Sequence, residues 1–172
     1  MERCLECAHR RLGFASAVGA VAYAGPARPF VAAWKERGLR HLASLAAEVV
    51  VARVDPPAAD VITYIPPDPV RQLERSRHPA ESLAAELARL WGLPVAPLLG
   101  RARGRPRQVA LSLGERRANA RGAFVVRTDV PERVLLVDDV YTTGSTVAAA
   151  AIALRAGGAQ RVEVVTFARA LR

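Results

Sequence analysis

The chain has 172 residues, which is enough for one domain with a substantial core. No uncharged apolar stretch reaches the ~18 residues of a membrane-spanning helix, and the first residues do not resemble a signal peptide. We therefore expect a soluble, cytoplasmic protein without membrane insertion. The net charge is +9, and all 25 basic residues except Lys35 are arginine.

The first half of the chain alternates strands with helices. Residues 18–24 predict a short strand that a Gly-Pro pair ends, and residues 28–54 predict two helical stretches divided at Gly38. Residues 60–65 predict a second strand, because the Pro-Pro-Asp-Pro sequence after it cannot continue a strand ladder. Residues 80–91 predict an amphipathic helix, whose apolar face carries Leu83, Leu87, Leu90 and Trp91.

The second half continues this alternation. Residues 94–99 and 124–126 predict strands, and the Ser-Leu-Gly-Glu sequence at 112–115 fits the pattern of a capping box and predicts a short helix. The last three predicted elements are a strand at 133–137, a helix at 147–156 and a strand at 161–168. Strands alternating with helices predict an α/β fold, with a mostly parallel, twisted sheet flanked by helices.

Two acidic residues follow the apolar run at 134–137. Such a run is typical of a strand buried on both faces of a parallel sheet, and ligands bind beyond the carboxyl ends of these strands. Asp138 and Asp139 can hydrogen-bond sugar hydroxyls or hold Mg²⁺, directly or through water. Because buried acids are costly unless a cation or hydroxyl group meets them, the pair indicates a site.

A loop of hydroxyl residues around a glycine comes next and runs into the helix at 147–156. Its backbone amides, its hydroxyls and the positive end of the helix dipole favour phosphate binding. The residues concerned are Thr142, Thr143, Gly144, Ser145 and Thr146. The alternative is an acidic turn with an ordinary helix cap, although a cap needs only one hydroxyl residue and four are present.

These residues resemble the 5-phosphoribosyl-1-diphosphate (PRPP) motif of type I phosphoribosyltransferases, an apolar run followed by Asp-Asp-x-x-Thr-Thr-Gly-x-Thr. The resemblance implies that Asp138 and Asp139 are catalytic and contact the ribose hydroxyls near Mg²⁺. It implies that the hydroxyl loop, with Val140 and Tyr141, binds PRPP through its 5′-phosphate. It also implies a type I phosphoribosyltransferase-like fold with a mobile basic loop.

The pyrophosphate of PRPP needs a third subsite. The resemblance assigns it to the turn after the strand at 60–65, where Pro67, Arg71 and backbone amides would face the pyrophosphate. The alternative is that this proline-rich turn only ends the strand.

Over residues 18–169 the chain resembles the ComF family of phosphoribosyltransferase-like proteins, which is associated with natural competence and DNA uptake. The matching elements are Tyr23, Trp-Lys-Glu-Arg-Gly at 34–38, Ile-Pro-Pro at 65–67, and a block of Gln108, Leu111, Arg116, Asn119, Gly122, Ala123 and Phe124. The family sequence Arg-Gly-Phe-Asn-Gln-Ala is Arg-Ser-Arg-His-Pro-Ala at 75–80 here, so its Asn-Gln pair is missing.

The segment 101–121 carries seven arginines and one acid, Glu115. Seven minus one gives +6, two-thirds of the net charge of the chain. The arginines are Arg101, Arg103, Arg105, Arg107, Arg116, Arg117 and Arg121. The segment stands where type I enzymes have a lid, so its arginines either neutralise departing pyrophosphate or bind single-stranded DNA. A solvated basic loop without a partner is the third alternative.

Cys4 and Cys7 lie in residues 1–17, an N-terminal segment ahead of the phosphoribosyltransferase-like domain at 18–172. The ComF family begins with a four-cysteine zinc ribbon, and two thiolates are half of a tetrahedral Zn²⁺ site, to which His9 can add a ligand. The alternatives are two reduced thiols, a zinc shared within a homodimer, and a ribbon whose first half lies upstream.

Three functions follow from these resemblances. The first is a competence-associated protein that binds PRPP with Mg²⁺ and acts with single-stranded DNA and the competence machinery. The second is a nucleotide-salvage phosphoribosyltransferase, and the third is a PRPP-sensing regulator without catalysis. The block at 108–124 and the basic segment favour the first.

Overall fold

The computed structural model describes residues 12–37, 41–67, 78–102 and 122–170. Within these ranges the chain forms six strands and four helices. In chain order they are β1 (Ser16–Ala22), α1 (Ala27–Arg37), α2 (His41–Val51), β2 (Val61–Tyr64), α3 (Pro79–Trp91), β3 (Leu99–Arg101), β4 (Phe124–Val126), β5 (Arg133–Tyr141), α4 (Ser145–Ala156) and β6 (Arg161–Arg169).

Four strands form one parallel sheet in the order β1-β6-β5-β2. Val95 adds a single parallel bridge to Ile62 on the free side of β2. The two central strands, β5 and β6, are apolar and buried on both faces, as expected for a parallel sheet. The predicted α/β architecture with a mostly parallel sheet flanked by helices is therefore confirmed.

Alternate residues of β5 pack on opposite faces of the sheet. Leu135 and Val137 contact the cluster formed with α1, α2 and α3, whereas Val134 and Leu136 contact the cluster formed with α4. Side chains of a strand alternate between its two faces, so each of these residues serves a different helical layer. Beyond the acid pair this alternation is not kept, because Val140 packs on the first cluster and Tyr141 on the second.

A strand predicted at 94–99 is wrong, apart from the bridge at Val95. Pro94 and Pro97 lack an amide proton and cannot sustain a ladder, so the strand begins only at Leu99. β3 pairs antiparallel with β4 in a separate two-stranded sheet, which packs on the α4 side through Leu99 and Phe124.

The face predicted for α3 is correct at Leu83 and Leu87, which are fully buried, and wrong at Leu90, which is exposed. Three alanines complete the buried face instead, at positions 80, 84 and 88. They pack against an alanine-rich face of α2, at positions 43, 46 and 47. Small residues on both helices allow close approach, and Leu90 lies at the edge of the buried face, which is centred between Leu87 and Ala84.

Across the described ranges, no helix has both the length and the apolar character that crossing a membrane requires.

Candidate functional site

The acid pair lies inside a strand. The prediction that the strand ends at Val137 is wrong, because β5 continues to Tyr141. β6 is also longer than predicted and supplies the partners, so that Asp138 pairs in register with Thr166 and Tyr141 with Arg169. The two carboxylates are therefore held by the sheet and not by a turn.

Both carboxylates are buried, with 9% of Asp138 and 4% of Asp139 exposed. Asp138 Oδ1 accepts a hydrogen bond of 2.9 Å from the backbone amide of Asp139. Burial and the charge of Asp139 raise the pKa of Asp138 to about 8, although that amide, Lys35 and Arg101 act in the opposite direction. In the absence of ligand, Asp138 therefore holds a proton at neutral pH, which limits the negative charge of the pair.

Lys35, near the end of α1, supplies a cation on one side of the sheet. Its Nζ lies 2.8 Å from Asp139 Oδ2. This oxygen has no aligned hydrogen-bond donor among the described residues, so the contact is an ion pair without hydrogen-bond geometry. The sequence interpretation did not assign Lys35 to the site. Two signals pointed to it, namely its place in the ComF-like Lys-x-x-Gly element and its being the one lysine in an arginine-rich chain.

Arg101, at the end of β3, supplies a second cation. Its Nε donates to the carbonyl oxygens of Pro66 and Pro67, both at 3.2 Å, and its guanidinium lies 5.0 Å from the ring centroid of Phe124. It also attracts the Asp138 carboxylate. Arg101 thus connects the turn after β2 with the acid pair, whereas the sequence had placed it in a lid or DNA-binding segment.

The hydroxyl loop leads directly from β5 into α4. The helix begins at Ser145, two residues earlier than predicted, and Gly144 is its N-cap with φ 70° and ψ 1°. Thr143 Oγ1 lies 2.9 Å from Ser145 Oγ and accepts a hydrogen bond of 3.4 Å from the Ser145 amide. The next two amides of the first turn, at 146 and 147, have no carbonyl partner in helix geometry and can meet an anion.

Tyr141 packs beneath this loop. Its ring lies 4.8 Å from the Arg169 guanidinium, and Arg169 also donates to the carbonyl of Ala17 at 3.2 Å. A β-carbon at position 144 would overlap the hydroxyl and ring of Tyr141. The glycine is therefore required twice, by its positive φ and by the tyrosine beside it.

Replacing Gly144 with alanine should lower the free energy of unfolding by about 2–4 kcal/mol, because left-handed strain of about 1–2 kcal/mol adds to the overlap with Tyr141. Gly92 provides a matched control, since it has φ +66° with open space around it. Gly92→Ala should lower the free energy of unfolding only by the left-handed backbone strain, about 1–2 kcal/mol. Denaturant unfolding of both variants measures the difference, and equal losses would show that Tyr141 does not restrict the loop.

Several predicted site residues lie outside the described residues. These are Arg71, the arginines Arg103, Arg105, Arg107, Arg116, Arg117 and Arg121, and the candidate zinc ligands Cys4, Cys7 and His9. The division between residues 1–17 and 18–172 also stays a prediction. Of the PRPP-site residues, the structure brings together the acid pair, the hydroxyl loop, Tyr141 and Pro67, with Arg101 connecting the turn to the acids.

Comparison with known proteins gives a relative that decides the family. Competence protein F of Haemophilus influenzae is 32% identical over 142 residues, which is 80% of this chain and 62% of that protein. The chain belongs to the ComF family. It spans about three-fifths of the length of this ComF relative. No family model matches the chain.

Several of the elements that carried the ComF resemblance lie together in the folded chain, whereas its residues at 108–119, with the predicted capping box at 112–115, lie outside the described residues. Tyr23 follows β1 and donates its amide to the Arg169 carbonyl at 2.7 Å, next to the end of β6. Lys35 contacts Asp139, and Arg101 joins the Pro66-Pro67 turn to Phe124. These ComF elements, separated in sequence, therefore converge on the carboxyl edge of one sheet.

Proposed function

We propose that this ComF-family chain has a type I phosphoribosyltransferase-like fold and binds PRPP with Mg²⁺ at the carboxyl end of β5. We further propose that it works in the cytoplasm in natural competence, with single-stranded DNA and the competence machinery as partners. The observation that supports this most is the buried acid pair of β5, from which the chain runs through a hydroxyl loop into the first turn of α4.

Each part of this edge suits one part of PRPP. Asp138 and Asp139 would accept hydrogen bonds from the ribose 2′- and 3′-hydroxyls, and Asp139 Oδ2 has no aligned hydrogen-bond donor among the described residues. The 5′-phosphate would meet the amides and hydroxyls at the start of α4, where the helix dipole is positive.

The residues present also suit Mg²⁺. Asp138 and Asp139 offer hard carboxylate oxygens, which are the ligands that this ion prefers. Burial first and then the charge of Asp139 raise the pKa of Asp138, and a bound cation would favour the ionised form that both disfavour. When bound, Mg²⁺ would neutralise charge on the pyrophosphate, while Asp138 and Asp139 orient the ribose.

The turn after β2 is the proposed pyrophosphate subsite, with Pro67 and, further on, Arg71. Support comes from Arg101, whose Nε holds the carbonyls of Pro66 and Pro67 and so orients the turn. A guanidinium beside this turn also provides positive charge where pyrophosphate would lie. Lys35 and Arg101 thus supply cations from both faces of the sheet.

Titration calorimetry with PRPP and Mg²⁺ tests the binding proposal, with ribose 5-phosphate and free pyrophosphate as partial ligands. We expect PRPP to bind more tightly than either partial ligand, because it fills all three subsites. Pyrophosphate release with a panel of free bases then separates an enzyme from a PRPP-sensing binder. Efficient use of one base without DNA binding would replace the competence role with nucleotide salvage.

DNA binding is proposed for the basic segment at 101–121. Reversing Arg105, Arg107, Arg116 and Arg117 to Glu should weaken binding to oligo(dT) and flatten its salt dependence. Each phosphate contact contributes about −0.7 to the logarithmic salt slope for single strands, so losing four contacts should change it by about 3. Fluorescence anisotropy across a salt series measures this slope.

A matched control makes the same change in charge elsewhere. Arg28, Arg53, Arg89 and Arg155 are exposed arginines outside the segment. Their reversal to Glu should leave most of the slope intact. An equal loss in both variants would indicate a general effect of net charge and would remove the segment from the proposal.

Zinc binding by Cys4 and Cys7, within one chain or shared in a homodimer, stays a separate proposal. Metal analysis of the purified protein tests it, and zinc well below one ion per dimer would contradict it.

A further inference from the structure

The ammonium group of Lys35 lies where a cation would be expected at the acid pair. Its Nζ is 2.8 Å from Asp139 Oδ2, and its charge also acts on Asp138. The carboxylate is only 6% exposed, so little solvent screens this contact on the acid side. The ammonium is a compact point charge and resembles a small metal ion more than a planar guanidinium does.

The second cation near the pair is engaged differently. The Arg101 guanidinium donates to the carbonyls of Pro66 and Pro67 and stacks on Phe124. Lys35 forms an ion pair with Asp139. Lys35 is therefore a cation in direct contact with the acid pair.

We propose that Lys35 is a built-in counter-ion that holds the place of a divalent cation on Asp139 and so weakens metal binding by the substrate-free protein. A metal ion and an ammonium repel each other at one carboxylate, so the metal must displace Lys35 or bind weakly beside it. The Lys35 side chain is 35% exposed on a flexible stem, and it can turn outward when an anion arrives to pair with it.

This inference depends on the proposed function only for the identity of that anion. If the anion is PRPP, the metal enters together with its substrate and not before it. The counter-ion role itself concerns two residues of this chain and one cation, and it can be tested without PRPP.

The test measures Mn²⁺ binding to the substrate-free protein, by electron paramagnetic resonance of free Mn²⁺ and by calorimetry. Lys35→Gln and Lys35→Met, which remove the charge and keep most of the stem, should bind Mn²⁺ at least about tenfold more tightly than the wild type. Lys35→Arg keeps the charge and should stay within about twofold of the wild type. Circular dichroism and thermal unfolding verify that each variant is folded.

Two further variants make the result specific. Arg28→Gln removes one charge from the same helix, about 10 Å away along its axis, and should leave Mn²⁺ affinity unchanged. Lys35→Gln combined with Asp139→Asn should lose the gained affinity. The proposal is overturned if both neutral variants bind Mn²⁺ no better than the wild type. It is equally overturned if Arg28→Gln or Lys35→Arg tightens binding as much as Lys35→Gln.

Failure of this inference and failure of the proposed function give different results. If Lys35→Gln binds Mn²⁺ more tightly but no variant binds PRPP, the counter-ion role of Lys35 stands and PRPP is rejected as the ligand. If PRPP binding requires Asp138 and Asp139 but Lys35→Gln has unchanged Mn²⁺ affinity, PRPP stands as the ligand and the counter-ion role of Lys35 is rejected.

Discussion

A protein with asparagine at both positions 138 and 139 should bind PRPP at least about 100-fold more weakly and remain folded. A hydrogen bond to a charged group contributes about 1.5–3 kcal/mol, and two such bonds to ribose hydroxyls would be lost or weakened. Asparagine preserves the shape of each side chain and removes its charge. The double variant should stay folded, because burial already disfavours the charge of Asp138 and the released Lys35 side chain, 35% exposed, can turn to solvent.

The matched control lies at the opposite end of the same strand. Asp60→Asn with Glu132→Gln removes two negative charges beside Arg133, where β5 begins. This control should retain PRPP affinity within about twofold. Calorimetry in Mg²⁺ compares the three proteins, and wild-type affinity in the double asparagine variant would place the ligand elsewhere.

The free energy of unfolding of the ligand-free protein should fall as pH rises from about 4 to about 8. Burial and the charge of Asp139 raise the pKa of Asp138 from 3.8 to about 8, with Lys35 and Arg101 opposing the shift. Between these two values the folded state holds a proton that the unfolded state has released, so higher pH favours unfolding. The loss of stability therefore accumulates through this range and levels off above about pH 8, where the folded state releases the same proton.

Denaturant unfolding at several pH values measures this slope. Asp138→Asn should flatten it, because the group that titrates has been removed. Asp60→Asn should keep it between pH 5 and 8, since Arg133 lowers the pKa of Asp60 and places its titration below that range. The same slope in Asp138→Asn and wild type would show that Asp138 is not the buried acid responsible.

Local patterns were sufficient to predict most elements. The apolar run at 134–137, the spacing of Leu83 and Leu87, and the alanines before the Gly-Gly pair at 157–158 each identified a strand or helix correctly. These signals succeed because periodicity and turn residues act within a few positions of the chain. The failure at 94–98 has the same origin, since an apolar run indicated a strand that its two prolines interrupt.

The extension of β5 was not predictable from local pattern. Adjacent aspartates are unfavourable in a strand, and they are held there by pairing with β6, which lies more than twenty residues later in sequence. The strand therefore ends where its neighbour ends, at Tyr141, and not where its apolar run ends.

In the candidate site, too, the residues that are contiguous in sequence were predictable and those brought together by tertiary packing were not. The acid pair and the hydroxyl loop are contiguous in sequence and were identified together. Lys35 was not, because its contact with Asp139 joins α1 to β5 across 104 positions (139 minus 35). Arg101 was assigned to the basic segment on charge alone, whereas its contacts with Pro66 and Pro67 depend on how β3 packs beside the turn.

A crystal structure of the chain with PRPP and Mg²⁺ would test the proposed site most directly. We expect the 5′-phosphate on the first-turn amides of α4, with the ribose hydroxyls on Asp138 and Asp139. A sugar phosphate bound away from the carboxyl end of β5, or a first turn of α4 closed to any anion in the complex, would contradict it.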